Sequence, residues 1–459
     1  MRTIFPFLLS LWLLACQSGP APSGSPSGES EDPFLLLNQT TDQFHEPSED
    51  FLVKDEEIRQ YYNIDNQGIS FYASPEDRAA GKIEARIYKE EYGLTSRFFA
   101  AYPLDSIVSW YQKKGLGKWP ARLSRTHNRV RFSYRPGAEK PLSGLRVALD
   151  PGHLAGDMEL AELEGKYVKM KPSADVGSEA INFFEADLTL ATAHLIREKL
   201  DSLGAKVMMT RSKRGLGIRG ISWKDWRKKA FPDTLKLAVQ EGRMTKEQAK
   251  HWRKKAREDQ IMGQFYTADD LRERAKAIND FMPHLTLIIH FNVHGPNWEK
   301  RDDDGFFQPT QENYSMAFTP GSFMEGELAD VKSRVAFLRL LVSNDLETSS
   351  RLCHFFLQKS EEFTGVRPVG DDDDLSYLNR SSMLTGPKGV YARNLTLTRL
   401  VAGPVCYGES LCQDHFREAI TLNQKDIAVE GIPVSSRLKK VARAYVEAVL
   451  EFVKDGKSL

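Results

Sequence analysis

From residue 145 onwards the sequence predicts an α/β fold, a single mostly parallel sheet flanked by helices. Three observations carry that prediction. Short apolar runs at 146–149, 206–210 and 285–289 read as buried strands. Between them lie stretches whose apolar residues recur every three or four positions, and such alternation implies a sheet covered on both faces by its connecting helices. Turn residues at Arg135-Pro136-Gly137 and Lys140-Pro141 separate this region from a smaller strand-containing region before it.

The chain opens with a segment that does not belong to the fold. Arg2 gives a positive start, and the apolar run 4–14 is too short to span a bilayer comfortably, so residues 1–15 read as a signal peptide. The run ends in Leu13-Leu14-Ala15-Cys16, which resembles the lipobox of bacterial lipoproteins. That resemblance implies lipidation of Cys16 and anchorage at a membrane surface without a spanning helix. The alternative is an ordinary secretory signal with a chance cysteine. Residue 17 is glutamine and not aspartate, so the lipoprotein sorting pattern implies a cell-envelope location at the outer membrane, facing the periplasm. Residues 16–47 are rich in Ser, Pro, Gly and acidic side chains, and are expected to form a disordered tether.

Residues 48–140 are expected to form a small accessory domain. Its strand signals are alternating runs at 68–72 and 129–134. Wall binding is conceivable for it, as is packing against the next domain.

The catalytic region is read over 145–459. After the strand at 146–149 comes a helix over 185–203, with Leu188, Ala191, Leu195, Ile196 and Leu200 on its buried side and Gly204 as its stop. A strand at 206–210 leads into a highly charged insertion, 213–266, read as a helical pair. A helix at 268–281 and a strand at 285–289 follow, then a second insertion at 295–346. Residues 349–364 read as helical, and 391–400 and 404–407 as late strands. The last helix carries Leu438, Val441, Tyr445, Val449 and Phe452 at intervals of three or four.

Formal charge is zero, with 63 basic and 63 acidic residues, so no bulk attraction to nucleic acid is expected. With Cys16 set aside, Cys353, Cys406 and Cys412 remain, an odd number that argues against a disulfide scaffold. Cys406 and Cys412 either bridge across a short loop in an oxidising compartment or stay as buried thiols.

Groups capable of chemistry collect at element ends. Asp150-Pro151-Gly152-His153 follows the first strand, Phe184-Glu185-Ala186-Asp187 opens a helix, and Ile289-His290-Phe291-Asn292 closes a strand. Two imidazoles and a carboxylate form a set that zinc accepts while keeping a fourth position for water, which points to a hydrolase. Strand ends also place His153 and His290 at the sheet edge where α/β proteins bind ligands. Taken singly, each has a plainer reading: a structural turn histidine, or an acid complementing a helix dipole. His294 lies four residues after His290, but the preceding run is strand-like and no glutamate follows His290, unlike paired ligands on a helix. Asn292 and His294 are candidates for substrate contact or support of the site, with a solvated loop as the alternative for His294. Arg393 either holds a substrate carboxylate, positions a catalytic group, or forms an ordinary salt bridge.

These segments, in this order, resemble the zinc-dependent N-acetylmuramoyl-L-alanine amidases, which hydrolyse bacterial peptidoglycan. The resemblance is carried by Asp150 to His153, by Glu185 with Asp187 and Leu188, and by Gly204 through Val207 to Thr210-Arg211. Arg274 with Asn279, His290-Phe291-Asn292, and Pro404-Val405-Cys406-Tyr407-Gly408-Glu409 complete it. It spans roughly 145–453, interrupted by the two insertions. It implies that His153, Glu185 and His290 bind Zn2+, that Glu409 is the catalytic carboxylate, and that the bond cut joins N-acetylmuramic acid to L-alanine.

The chain departs from the family pattern at Ile288, where serine is frequent, and at Leu154-Ala155-Gly156, where a double glycine is usual. Residues 161–170, with Glu162 and Glu164, resemble a subgroup with an extended first loop; those acids are expected in solvent unless they approach the metal. Asp302–Asp304 and 371–374 lack the spacing of a calcium loop and read as solvated. Two other functions stay open: a catalytically silent peptidoglycan-binding lipoprotein, and a zinc peptidase acting on the stem peptide. Since some relatives carry inserts that cover the zinc, a protein activator is a possible partner, with structural padding as the plainer role of both insertions.

Overall fold

The computed structural model describes residues 47–114, 140–294, 301–370, 373 and 376–455. The signal peptide, the tether with Cys16 and the strand expected at 129–134 lie outside the described residues. Three short strands come first, β1 (Tyr62–Asp65), β2 (Gly68–Phe71) and β3 (Ala85–Tyr88), in an antiparallel sheet. Strand β4 (Arg146–Pro151) begins the main sheet, and β5 (Tyr167–Met170) pairs with β6 (Ile181–Phe184) as a separate antiparallel pair. The main sheet continues with β7 (Lys206–Met209), β8 (Leu285–Asn292), β9 (Met316–Thr319), β10 (Ser382–Leu384), β11 (Val390–Arg393) and β12 (Val405–Cys412).

Its seven strands lie in the order β10-β11-β9-β12-β8-β4-β7. Strands β12, β8, β4 and β7 are mutually parallel, and β11 is parallel to β9; the β9–β12 and β10–β11 pairs are antiparallel. The fold is therefore the mostly parallel α/β sheet that the sequence predicts.

The period of two along each strand divides the core into two layers. Val147 and Leu149 of β4, Leu287, Ile289 and Phe291 of β8, and Cys406 of β12 face one layer. The helices Glu185–Ser202, Asp345–Thr364 and Arg437–Asp455 cover it. Ala148, Ile288 and Val405 face the other layer, together with Ala275, Ile278, Phe337 and Leu400 from helices. His290 and Glu409 share the parity of Ile288 and Val405, so they belong to this second face.

The region before residue 114 buries Ile58, Phe71, Phe98 and Ile107 in the same cluster as Ala148 and Ile288, so it packs against the face it covers. Three sequence expectations differ from the structure in detail. Residues 295–346 contribute β9 to the sheet and the buried helix Val331–Val342, which makes much of that stretch structural framework. Insertion 213–266 holds four short α-helices and most of a π-helical segment, Met262–Thr267, not a helical pair, around Trp223, Trp226, Phe231 and Tyr266. Strand character at 391–400 ends at Arg393, and Thr396–Leu400 is helical, while the strand begun at Val405 runs on to Cys412.

Cys353, Cys406 and Cys412 are buried free thiols. Cys406 and Cys412 sit on one extended strand, six residues apart at about 3.3 Å each, far beyond disulfide reach.

Packing is close where β12 meets the two long helices. A Cβ on Gly408 would fall 2.2 Å from Tyr445 Oη and 2.8 Å from the Phe356 ring. Gly408→Ala is therefore expected to destabilise the protein by about 1–3 kcal/mol through overpacking. Urea unfolding would measure this, and an unchanged midpoint would contradict it.

Candidate metal centre

The second face of the sheet ends, at the C-terminal edge of β4 and β8, in a cluster of ionisable groups. The chain leaves β4 through Gly152 and turns at His153, which adopts φ 61°, a conformation rare for a residue with a Cβ. The residue before it must be glycine for a steric reason: a Cβ on Gly152 would lie 2.2 Å from Cε1 of the His290 ring.

Beneath this turn lie two buried guanidinium groups. Arg211 donates from Nη2 to Gly152 O at 2.7 Å and Ala186 O at 2.8 Å, and from Nε to Pro151 O at 3.1 Å. Arg274 donates to Pro151 O at 3.0 Å and His153 O at 3.3 Å, and its Nε binds Asp270 at 2.6 Å. Arg274 also ion-pairs, at 3.4 Å, with Asp150, which receives a hydrogen bond from Thr210. Burial raises the Asp150 carboxyl despite Arg274. Burial, followed by the like charge of Arg274, pulls Arg211 down to about 9.

Glu185 is the first residue of its helix and follows β6 directly, so its carboxylate projects to the same edge. Its Oε1 accepts Phe291 N–H at 3.0 Å and lies 3.1 Å from His290 Nδ1. Its Oε2 accepts Gln413 Nε2 at 3.1 Å and lies 3.1 Å from His153 Nε2. Ligand atoms from His153, Glu185 and His290 all fall within 4.8 Å of one another. The two imidazoles meet edge to face at 4.7 Å, and the His290 ring stacks on Tyr407 at 4.4 Å. His153 Nε2 is buried without a hydrogen bond, because its approach to Glu185 lacks hydrogen-bond geometry. An orphaned imidazole nitrogen among carboxylate and imidazole donors fits a divalent metal of the zinc kind.

Charges in the cluster are strongly coupled. Burial opposes the His153 imidazolium, but Glu185 and Glu164 outweigh it and hold the group up at about 9. Burial brings His290 down to about 4, with His153 adding to the fall against the opposing pull of Glu185.

Glu409 pairs across the strands with His290, so the two side chains stand next to each other on one face. Strand β12 runs through Glu409 and does not end before it. Its Oε2 is buried without a hydrogen bond. Burial and the repulsion of Glu185 push this carboxyl up to about 8. A cavity of about 210 Å³ opens beside His153, His290 and Tyr407, with Leu271 and Leu397 on its apolar side.

The remaining candidates fall outside the three-residue cluster. Asn292 turns its amide to Cys412 Sγ at 3.7 Å. His294 is held by Asp414 at its N–H and by the Tyr314 hydroxyl, 3.1 Å from its Nδ1. Arg393 lies 5.1 Å over the Phe318 ring and favours ionised Glu409 through space.

Glu164, expected in solvent, is buried against His153, whereas Glu162 pairs with Lys169. Sequence signals for that placement existed: Asp157 caps and Gly165 ends a short helix whose last residue is Glu164. Tyr407 shares the parity of Glu409 on its strand. Gln413 had no comparable signal.

Three convergent N and O donors thus meet at this sheet edge, beside a carboxyl that burial makes reluctant to ionise. Residues 147–306 match the family model described as N-acetylmuramoyl-L-alanine amidase. The match includes His153, Glu185 and His290 and stops before Glu409. Among solved structures, the chain is similar to Ami1 from Mycobacterium smegmatis, with a TM-score of 0.36 and 13% identity over 68% of this chain and 99% of that one. It is also similar to the CwlD amidase of Clostridioides difficile, solved in complex with the GerS lipoprotein: TM-score 0.34 and 14% identity over 68% and 100%. The catalytic domain of CwlV from Bacillus (Paenibacillus) polymyxa gives a TM-score of 0.33 and 13% identity over 68% and 98%. No protein with a curated description matches the chain.

Two outcomes follow from the electrostatics. Arg274→Ala strands Asp150 and Asp270 without their buried cation and is expected to cost about 3–5 kcal/mol, read by chemical denaturation. Glu409, raised in the folded state, keeps a proton that the unfolded chain releases, so its ionisation removes stability as pH rises through the interval from 4.5 to about 8. In chelator, wild type is expected to lose thermal stability relative to Glu409→Gln as pH rises through that interval. A pH-independent difference between the two would refute the assignment.

Proposed function

We propose that this protein is a zinc-dependent peptidoglycan hydrolase cleaving the amide bond between N-acetylmuramic acid and the L-alanine of the stem peptide. The observation that carries the reading is the convergence of His153, Glu185 and His290 beside Glu409, in a chain whose residues 147–306 match the amidase family. His153, Glu185 and His290 would hold the zinc, and His153 and His290 also line the neighbouring cavity. Zinc bound there supplies Lewis acidity, lowering the pKa of water and polarising the scissile carbonyl.

The chain's own groups do the rest. In its ionised form Glu409 takes the proton of the attacking water and returns it to the departing amide nitrogen. Its burial suits this exchange, because a carboxyl whose pKa is drawn towards neutrality both accepts and donates readily. Tyr407, stacked on His290, limits rotation of that ring, and Gln413 fixes the second oxygen of Glu185. Leu271 and Leu397 would place apolar side chains on one side of the substrate in this cavity.

The envelope location belongs to the same proposal. Its support is the sequence Leu13-Leu14-Ala15-Cys16, which would leave a lipidated Cys16 at the outer membrane with the enzyme facing the periplasm. A protein activator remains a proposed partner, supported only by the length of the helical insertion.

Digestion of purified sacculi tests the activity. Wild type is expected to release free stem peptides beginning with L-alanine, and chelator to abolish that release. Glu409→Gln is expected to lower the rate about 10²–10⁴-fold while retaining zinc. New termini within the stem peptide would assign a peptidase instead, and sacculus binding without any release would assign a silent wall-binding protein.

A further inference from the structure

One buried carboxylate beside the cluster has no task in this scheme. Glu164 closes the helix Met158–Glu164, which Asp157 opens by accepting Leu160 N–H at 2.8 Å and Gly165 ends at φ 72°. Leu160 and Leu163 of this helix pack into the aromatic cluster of Trp223, Trp226 and Tyr266, so its position is braced by the charged insertion. Only 7% of the Glu164 side chain is exposed. Its Oε1 lies 3.2 Å from His153 Nδ1, and its Oε2 accepts the N–H groups of Leu154 and Ala155, each at 3.2 Å. On the opposite edge of the same ring, Nε2 is the buried nitrogen without a hydrogen bond.

We propose that Glu164 is the positioning residue of the metal centre, locking His153 with the proton on Nδ1 so that the Nε2 lone pair faces Glu185 and the ion. This rests on the metal-centre reading given above. An ionised carboxylate offers only acceptors, so an imidazole nitrogen bonded to it carries hydrogen, and in the neutral ring the other nitrogen is then the donor to a metal. The negative charge also raises the basicity of that donor, as carboxylate partners of metal-bound histidines do. Two further bonds to the peptides after His153 hold the turn in its left-handed conformation. Glu164 thus sets both the tautomer and the direction of one ligand.

Zinc alone is a sufficient probe. Competition with a chromophoric chelator would give the zinc Kd of wild type, Glu164→Gln, Glu162→Gln and His153→Ala. Glu164→Gln is expected to weaken zinc about 10–100-fold, and Glu162→Gln to leave affinity unchanged. Wild-type affinity in Glu164→Gln would overturn the proposal while leaving the metal centre standing. A loss as severe as in His153→Ala would overturn it in another way, by making Glu164 a ligand. Failure of wild type to bind zinc would remove the metal centre itself, and this proposal with it. Should Glu164→Gln not fold, long-range 1H–15N spectra of zinc-loaded wild type decide the matter. Hydrogen on His153 Nδ1 supports the assignment, and hydrogen on Nε2 defeats it.

Discussion

The site depends on a buried clamp of two guanidinium groups under the turn that follows β4. Carbonyls of Pro151, Gly152 and His153 point down into a layer where water does not reach, and unpaired they would each be costly. Arg211 and Arg274 satisfy them, and Asp150 and Asp270 balance the charge. Such an arrangement is poor value as a source of stability, because two cations must be desolvated to make it. Its worth lies in geometry. It fixes a left-handed histidine at a sheet edge and lets Gly152 approach the ring of a second histidine from a neighbouring strand.

That clamp also explains what was readable in the sequence. The strand, turn and helix starts that present His153, Glu185 and His290 are local events, written in apolar runs, a helix stop at Gly204 and an Asp-Pro-Gly-His turn. Glu409 was readable through the resemblance of the Pro404–Glu409 stretch, and its register opposite His290 follows from two parallel strands with the same period. Fold class was equally local, since alternation of strands and helices leaves few arrangements.

The parts that were not legible depend on contacts far apart in the chain. Nothing near Gln413 marks it as a partner of Glu185, because that pairing exists only once β12 lies beside β8. Glu164 was read as solvated since an acid in a polar stretch usually is; burial came from a helix seated on a tryptophan cluster some sixty residues later in the sequence. Residues 295–346 looked like an excursion because β9 is only four residues long and is followed by a buried helix instead of a second strand. Short strands carry too little periodicity to declare themselves.

The charge balance of the cluster gives the remaining step. Glu164, Glu185 and Glu409 are three buried carboxyl groups, and the facing imidazoles supply one cation at most near neutral pH, since His290 is held neutral by burial. Burial and the charge of Glu185 outweigh the cations Lys166, His153 and Arg393, so the third acid resolves the excess by holding its proton more tightly. A divalent cation at the centre reverses that logic: it favours the ionised form of Glu409 and the neutral form of His153, so binding is coupled to proton release. Under the proposed function, the same negative surplus that makes Glu409 reluctant to ionise alone would draw a cation in. Metal affinity and the readiness of Glu409 to act as a base would then be two consequences of one electrostatic imbalance.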